Sequence, residues 1–196
     1  YAQWFFANEI KQNTKVKGYV QMRGLSPEVS DEFELGYAPD SFDTLVDFLQ
    51  QKKIPLDAAI KLGLAKAGKQ ATPYAFYRDR LMFPIRNTTG KIVGFGGRSL
   101  NSDNVAKYIN SPESPIYNKS QELYGFYQAK QAIKTEKQAI VVEGYLDVIA
   151  CHQLGLKQAV APLGTSLTQK QVRLLKRYTE DLILMFDGDN AGRQAA

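Results

Sequence analysis

Three short apolar segments in the last third of the chain constrain its fold more than any other feature. Each is as long as a strand that is buried on both faces, and they are AIVVEG (139–144), QAVAP (158–162) and DLILMF (181–186). Helices are predicted between them, over residues 145–154 and from a capping box at residues 166–169 to about residue 178. This alternation predicts a parallel α/β sheet with right-handed crossovers.

Acidic residues lie where two of these segments end. Glu143 comes at the end of the first segment, and Asp187 and Asp189 follow the third. Functional groups gather at the carboxyl ends of parallel strands, and neighbouring strands would bring these acids together. Converging carboxylates repel one another unless a hard cation neutralises them, and Mg²⁺ keeps waters that substrate phosphates can replace. The sequence therefore predicts a Mg²⁺ or Mn²⁺ site for phosphoryl transfer.

A second interpretation of these acids stays open. Asp-Gly and Asp-Asn are common turn formers, so Asp187 and Asp189 are also consistent with an ordinary turn. Asp147, four residues after Glu143, falls on the first turn of the predicted helix. It is either an acid that complements the helix dipole or a residue that orients the metal ligands, and we favour the second role.

The first part of the chain has a different pattern, with helices and a hairpin. A helix is predicted over residues 14–23, ended by Gly24, and a second helix begins at Ser26-Pro27. A third helix is capped by Ser41 and runs to about residue 51. Its predicted apolar face consists of Phe42, Leu45, Val46 and Leu49.

A hairpin is predicted from LMFPIRN, TTG and KIVGFGG, with Gly90 in the turn. Residues 101–118 are polar and predicted to be irregular, and a helix is predicted from Ser120 to about residue 134. The chain is therefore expected to have two parts, an α+β subdomain over residues 1–136 and a parallel α/β subdomain over residues 137–196.

Charge is distributed unevenly along the chain. The net charge is +5, but residues 61–119 hold ten Lys or Arg against three acids, a net charge of +7, whereas the other residues sum to −2. This concentration indicates a surface that contacts phosphates, although a plain solvated basic face has the same composition. One cysteine and one histidine exclude an internal disulfide and make a zinc site in this chain unexpected. We find neither a membrane-spanning segment nor a signal peptide and expect a cytoplasmic protein.

Several motifs resemble a known family. EGYLD after one apolar segment and DGDNAG after another resemble the Toprim unit of topoisomerases, primases and some nucleases. The blocks RGLSPEVSDEFELGYAPDSFDTL, RDRLMFPIRNTTGKIVGFGGRSL and KYINSPESPIYNKSQELYGFYQAK are similar to successive blocks of the bacterial replicative primases. The resemblance extends over nearly the whole chain.

The resemblance implies roles for particular residues. Glu143 matches the family's catalytic glutamate, Asp147 its companion, and Asp187 and Asp189 the metal-binding pair. The residues that match the family's template- and nucleotide-binding surface are Arg23, Arg78, Arg80, Arg98, Lys107, Tyr108, Asn110 and Lys119.

The resemblance also implies an activity and partners. The family's RNA-polymerase core synthesises short RNA primers on single-stranded DNA from nucleoside triphosphates. The regions through which the family contacts the replicative helicase and single-strand-binding protein lie outside this chain. The family's zinc-binding module also lies outside it. The family's Toprim unit continues with another strand and a further acidic motif, so we expect a fragment with weak or no activity of its own. The alternatives are a Toprim nuclease or topoisomerase, and a non-catalytic module that binds single-stranded nucleic acid.

Overall fold

The structure, a computed structural model, describes residues 1–68, 72–101, 106–164 and 166–187. The chain forms two compact units. Unit 1 comprises residues 1–26, 30–84 and 94–117, and unit 2 comprises residues 27–29, 85–93 and 118–196. The long segment of unit 2 begins at residue 118, earlier than the boundary predicted at residue 136. A boundary between two subdomains at residue 136 stays a prediction.

Over the first 117 residues most of the helices come first and most of the strands follow them. The helices are α1 (Ala2–Gln12), α2 (Thr14–Met22), α3 (Pro27–Glu32), α4 (Thr44–Gln51) and α5 (Leu56–Lys61). The strands are β1 (Gly36–Ala38), β2 (Ala65–Lys66), β3 (Tyr74–Ala75), β4 (Arg80–Arg86), β5 (Ile92–Ser99) and β6 (Tyr108–Asn110). One sheet has the order β1-β4-β5-β6, and β2 and β3 form a separate antiparallel pair.

An aromatic core holds α1 in unit 1. Phe6 is fully buried, and its ring meets those of Phe95 and Tyr77 edge-on, with centroids 5.3 and 6.4 Å apart. On the outer side of α1, the rings of Trp4 and Phe48 stack with centroids 5.5 Å apart. Edge-to-face and stacked pairs of this kind contribute beyond the area that they bury. Aromatic packing therefore fixes α1 against the sheet and against α4.

Several predicted boundaries in the first part are confirmed. Helix α2 ends before Gly24, which has φ +70°, and the predicted hairpin turns through Gly90 with φ +88°. The N-cap of α4 is Asp43 and not the predicted Ser41, although the Ser41 Oγ accepts hydrogen bonds from the backbone N–H groups of residues 43 and 44. The prediction was wrong for Phe42, which precedes the helix and is 51% exposed, because the helix begins only at Thr44.

Two other predictions for this region were wrong. Residues 108–110 of the segment predicted to be irregular form β6, which pairs antiparallel with β5 from Gly96 to Arg98. The helix predicted from Ser120 begins at Phe126 instead, after Gly125 with φ +77°. The backbone carbonyls of Ser120 and Glu122, in the intervening segment, accept hydrogen bonds from the side chains of Thr168 and Gln171, which local sequence patterns do not reveal.

The last part of the chain has the predicted parallel α/β structure. Its elements are α6 (Phe126–Glu136), β7 (Gln138–Val141), α7 (Tyr145–Gln153), β8 (Ala159–Val160), α8 (Gln169–Leu175) and β9 (Asp181–Leu184). The strand order is β8-β7-β9, and both pairs are parallel. Helix α7 ends before Gly155, with φ +92°, as predicted. The mixed fold class, with an α+β part followed by a parallel sheet, is confirmed.

The central strand β7 is buried on both faces. Ala139 and Val141 belong to an apolar cluster with residues of α6, β8 and α8, and Ile140 between them is 3% exposed on the opposite face. Continuous apolar sequence is typical of a parallel strand that is covered on both sides. Among the described residues, every helix is too short or too polar to cross a lipid bilayer.

The capping box of α8 lies two residues beyond its predicted position. Thr168 Oγ1 accepts a hydrogen bond from the Gln171 N–H, and Gln171 Oε1 accepts one from the Thr168 N–H. Gln171 is fully buried, and its Nε2 donates to the carbonyl oxygens of Lys119 and Glu122 at 3.0 and 2.7 Å. The side chain that closes the box therefore also ties α8 to the segment before α6.

Candidate functional site

The register of unit 2 brings two of the predicted acids, Glu143 and Asp187, to one edge of its sheet. Val141 lies opposite Leu184 in the parallel β7–β9 pair, and the Met185 N–H donates to the Val141 carbonyl at 2.9 Å. Glu143 lies two residues after Val141, and Asp187 lies two residues after Met185. Glu143 Oε1 accepts a hydrogen bond of 2.6 Å from the backbone N–H of Asp187. Residues 44 positions apart in sequence are thus in direct contact.

The Glu143–Asp187 pair has the donor atoms that a hard cation requires. Both side chains are exposed, and neither forms an ion pair with any described residue. Glu143 Oε2 and the Asp187 carboxylate remain able to bind, and oxygen ligands of this kind suit Mg²⁺. Asp189 lies outside the described residues, and within them there is no group of three His, Cys, Asp or Glu side chains placed to hold a metal. Metal binding by these acids stays a prediction.

Asp147 fixes the turn that follows Glu143. Its Oδ2 accepts a hydrogen bond of 3.0 Å from the Gly144 N–H, the N-cap position of α7. A carboxylate in the first turn satisfies an otherwise unpaired N–H and complements the helix dipole. Since Gly144 is bonded directly to Glu143, this contact also restrains the direction in which Glu143 leaves the strand. A role in orienting metal ligands stays a prediction.

Two of the predicted phosphate-binding arginines share an aromatic neighbour in unit 1. The Arg23 and Arg98 guanidinium carbons lie 5.2 and 5.3 Å from the ring centroid of Tyr19, and Arg98 lies 5.1 Å from that of Tyr108. Arg98 also donates to the Tyr108 hydroxyl, and Arg23 Nε donates to the Tyr19 hydroxyl at 2.8 Å. The structure therefore brings Arg23, Arg98 and Tyr108 together, as a stacking and phosphate-binding surface requires.

Tyr19 is the residue that the sequence analysis missed at this surface. It precedes Arg23, the C-cap residue of α2, by four residues. Side chains at this spacing meet, and this is the local signal that could have identified Tyr19. Its contact with Arg98 is a long-range one. Arg98 is 8% exposed, and its Nε has no hydrogen-bond partner among the described residues. A buried donor of this kind favours an anionic ligand.

The other two predicted arginines have different surroundings. Arg80 is 4% exposed, and its Nη1 donates to the carbonyl oxygens of Gly97 and Ala106 at 3.1 and 2.9 Å. Burial lowers the pKa of its guanidinium. These bonds join β5 to the chain that enters β6, so Arg80 has a structural role whether or not it contacts a ligand. Arg78 lies 3.7 Å from the ring centroid of the exposed Phe42.

The remaining predicted residues lie in both units. Lys107 is exposed beside β6, where its carbonyl accepts a hydrogen bond from Ser99, and Asn110 pairs with Gly96 in the sheet of unit 1. Lys119 is half-buried in unit 2, in the segment held by Gln171. Binding of template or nucleotide by any of these residues stays a prediction.

Comparison with known proteins agrees with this architecture. Residues 5–130 match the family described as DNA primase catalytic core, N-terminal domain, and residues 140–196 match a Toprim-like family. A DNA primase of Pasteurella multocida is 45% identical over 98% of this chain, and one of Pseudomonas putida is 46% identical over all of it. The alignments cover 33% and 30% of these relatives, so the chain spans about a third of their length.

Solved structures of primases are similar along nearly the whole chain. The E. coli primase catalytic core is 40% identical with a TM-score of 0.91, and the match covers 99% of this chain and 62% of that one. The Aquifex aeolicus primase (zinc-binding and RNA polymerase domains) is 38% identical with a TM-score of 0.93, and the match covers 98% and 47%. With the family match over more than half of its residues, this chain belongs to the DNA primase catalytic core family.

Proposed function

We propose that this chain is part of a DNA primase core that synthesises short RNA primers on single-stranded DNA by metal-dependent nucleotidyl transfer. The observation that carries the proposal is the contact between Glu143 and the Asp187 backbone at the carboxyl ends of neighbouring parallel strands. A similar structure, 40% identical, is that of the DnaG primase catalytic domain bound to ssDNA. Such an enzyme of replication acts in the cytoplasm on nucleoside triphosphates and a growing RNA primer.

In the proposed reaction, a 3′-hydroxyl attacks the α-phosphate of a nucleoside triphosphate, a P–O bond forms, and pyrophosphate leaves. Glu143, Asp187 and Asp189 would hold Mg²⁺ or Mn²⁺. A bound ion of this kind polarises the phosphate and stabilises the attacking and leaving oxygens. The Asp187 N–H fixes one oxygen of Glu143, which leaves the other to bind the ion or to accept the hydroxyl proton.

The basic residues would position the template and the incoming nucleotide. Arg23 and Arg98, held against the Tyr19 ring, would contact phosphates, while the exposed ring of Tyr108 would stack on a base. Base pairing, and not a protein contact, would select the nucleotide. Contacts with the replicative helicase and single-strand-binding protein would use parts of the protein beyond these residues.

The metal site can be tested by titrating Mn²⁺ into the protein and into Asp187→Asn while following the EPR signal of the free ion. We expect weak binding by the parent and its loss in the variant, because the amide removes a charged oxygen ligand. Asp181→Asn, at the other end of β9, is the matched control and should bind as the parent does. Equal binding by Asp187→Asn and the parent would assign the acids to an ordinary turn.

Phosphate contacts can be tested through the salt dependence of binding to single-stranded DNA. Each neutralised phosphate contributes about −0.7 to the log–log slope, so replacing Lys107 and Lys119 together by Ala should reduce its magnitude by about 1.4. Lys11 and Lys61, both exposed, provide a control with the same change of charge. A slope that stays at the parent's value would place Lys107 and Lys119 on a solvated face without phosphate contacts.

A further inference from the structure

Unit 2 contains a second basic feature, which neither the sequence analysis nor the resemblance singled out. A cleft of about 450 Å³ lies between α8, the chain just after it, the segment before α6 and the β4–β5 turn. Three cations line it, Lys170 and Arg173 on α8 and Arg177 in the turn that follows. Residues three and four apart lie on the same side of a helical stretch, so these cations form a row.

The wall of this cleft is held rigidly. Gln171, between the first two cations, is fully buried and donates to the carbonyls of Lys119 and Glu122. Thr168 Oγ1 donates to the Ser120 carbonyl at 2.7 Å. These long-range bonds fix α8 against the segment before α6. Preformed geometry lowers the entropy that a ligand loses on binding, so the row is positioned before any ligand arrives.

The cleft has three cations and one acid in its lining, a net positive charge. Lys170, Arg173 and Arg177 are exposed, and none forms an ion pair within the part of the chain that the structure describes. Glu122 is the single acid of the lining, and burial raises the pKa of its carboxyl. Six of the seven lining residues are polar or charged, and Leu174 is the exception. Protein interfaces centre on apolar and aromatic anchors, which this lining does not offer.

We propose that the row formed by Lys170, Arg173 and Arg177 contacts the phosphodiester backbone of nucleic acid held by this protein. Lys170 and Arg173 lie about 4.5 Å apart along the helix axis, and Arg177 continues the row, so the three cations follow a line as the phosphates of one strand do. The inference rests on the proposed function, which supplies the nucleic acid. It adds a contact surface on unit 2 that is separate from the Arg23–Arg98 cluster of unit 1.

The test compares the parent with the triple variant Lys170→Gln, Arg173→Gln, Arg177→Gln. Binding of a fluorescent oligothymidylate is measured by anisotropy over a series of KCl concentrations. We expect the magnitude of the salt slope to fall by about 2, because three phosphate contacts are lost at about 0.7 each. Glutamine is a good helix former and the three positions are exposed, so the fold should persist, as circular dichroism checks.

A matched triple variant, Lys11→Gln, Lys61→Gln, Lys157→Gln, changes the net charge equally at exposed sites elsewhere. It should lower the affinity less and leave the slope near that of the parent. If the salt slope of the cleft variant equals that of the parent, the inference is overturned. The variant at Lys107 and Lys119 tests the proposed function independently of this result. If the cleft variant binds DNA as the parent does but no longer binds polyglutamate, the cleft is a site for an acidic protein. That result would also overturn the inference. Absence of DNA binding by the parent would contradict the proposed function itself.

Discussion

Glu143→Gln is expected to lower the rate of primer synthesis by about 10²- to 10⁴-fold. The protein to be assayed contains residues 1–196 and is as long as the primases that it resembles. Glutamine keeps the size of the side chain and an oxygen that can accept the Asp187 N–H, but it removes the charge and the basic oxygen. Losing a group that takes the proton in the transition state has an effect of this size. Extension of a labelled primer on single-stranded DNA measures the rate.

The control for this prediction is Glu136→Gln, an exposed carboxylate at the end of α6 in the same unit, which should leave the rate unchanged. Thermal unfolding of both variants should match that of the parent, because Glu143 is exposed. If Glu143→Gln synthesises primers at the parental rate, Glu143 has no part in the chemistry. If it loses Mn²⁺ binding and activity together, Glu143 acts as a metal ligand.

Residues 1–196 alone are expected to synthesise little or no primer. Within the described residues, β9 is paired on one side only, and Ile183, Leu184 and Met185 are 40, 42 and 46% exposed. Asp187 follows this strand directly, so its position depends on how firmly β9 is held. Nucleotidyl transfer tolerates little displacement, and about 1 Å can reduce the rate on the order of a hundredfold. Synthesis by this chain at the rate of the full-length protein would contradict the expectation.

A large effect on stability is expected at Gly36, where Gly36→Ala should destabilise unit 1 by about 2 to 3 kcal/mol. A Cβ at this position would lie 2.6 Å from Phe6 Cβ and 2.9 Å from the Phe6 carbonyl carbon. The second of these atoms is backbone, so a rotamer change cannot relieve the overlap. Helix α1 would have to move away from β1, which disturbs the packing of Phe6 against Phe95.

Gly18→Ala is the matched control and should have the opposite sign. Gly18 lies within α2, and a Cβ there meets no atom within 4 Å, so the better helix propensity of alanine should stabilise the chain by about 0.5 to 1 kcal/mol. Urea unfolding followed by the fluorescence of Trp4, the single tryptophan and a residue of α1, reports both changes. Equal stability of the two variants would contradict the close approach of α1 to β1.

Much of unit 2 could be predicted because its signals are local. The apolar runs that became β7, β8 and β9 have strand length, and acids at two of their ends suffice to predict a shared edge once the strands are parallel. The helix ends at Gly24 and Gly155 could also be predicted from local sequence, because glycine adopts a positive φ at low cost.

Other features depend on contacts between residues that are distant in sequence. Strand β6 is held by its pairing with β5, although it has only three residues and the segment around it is polar. The start of α6 is delayed because the preceding segment accepts hydrogen bonds from Thr168 and Gln171, almost 50 residues later. Arg80 was assigned to a ligand surface, yet its guanidinium bonds the backbone near β6.

The sequence by itself determined the fold class, the helix and strand signals of unit 2 and the identity of the acids, because periodicity and strand-end chemistry are properties of neighbouring residues. Only the tertiary structure decided which side chains meet. It placed Glu143 against the Asp187 backbone, gathered Tyr19 with Arg23 and Arg98, and aligned three cations beside a buried glutamine. Such contacts follow from strand register and from long-range hydrogen bonds, which no local pattern encodes.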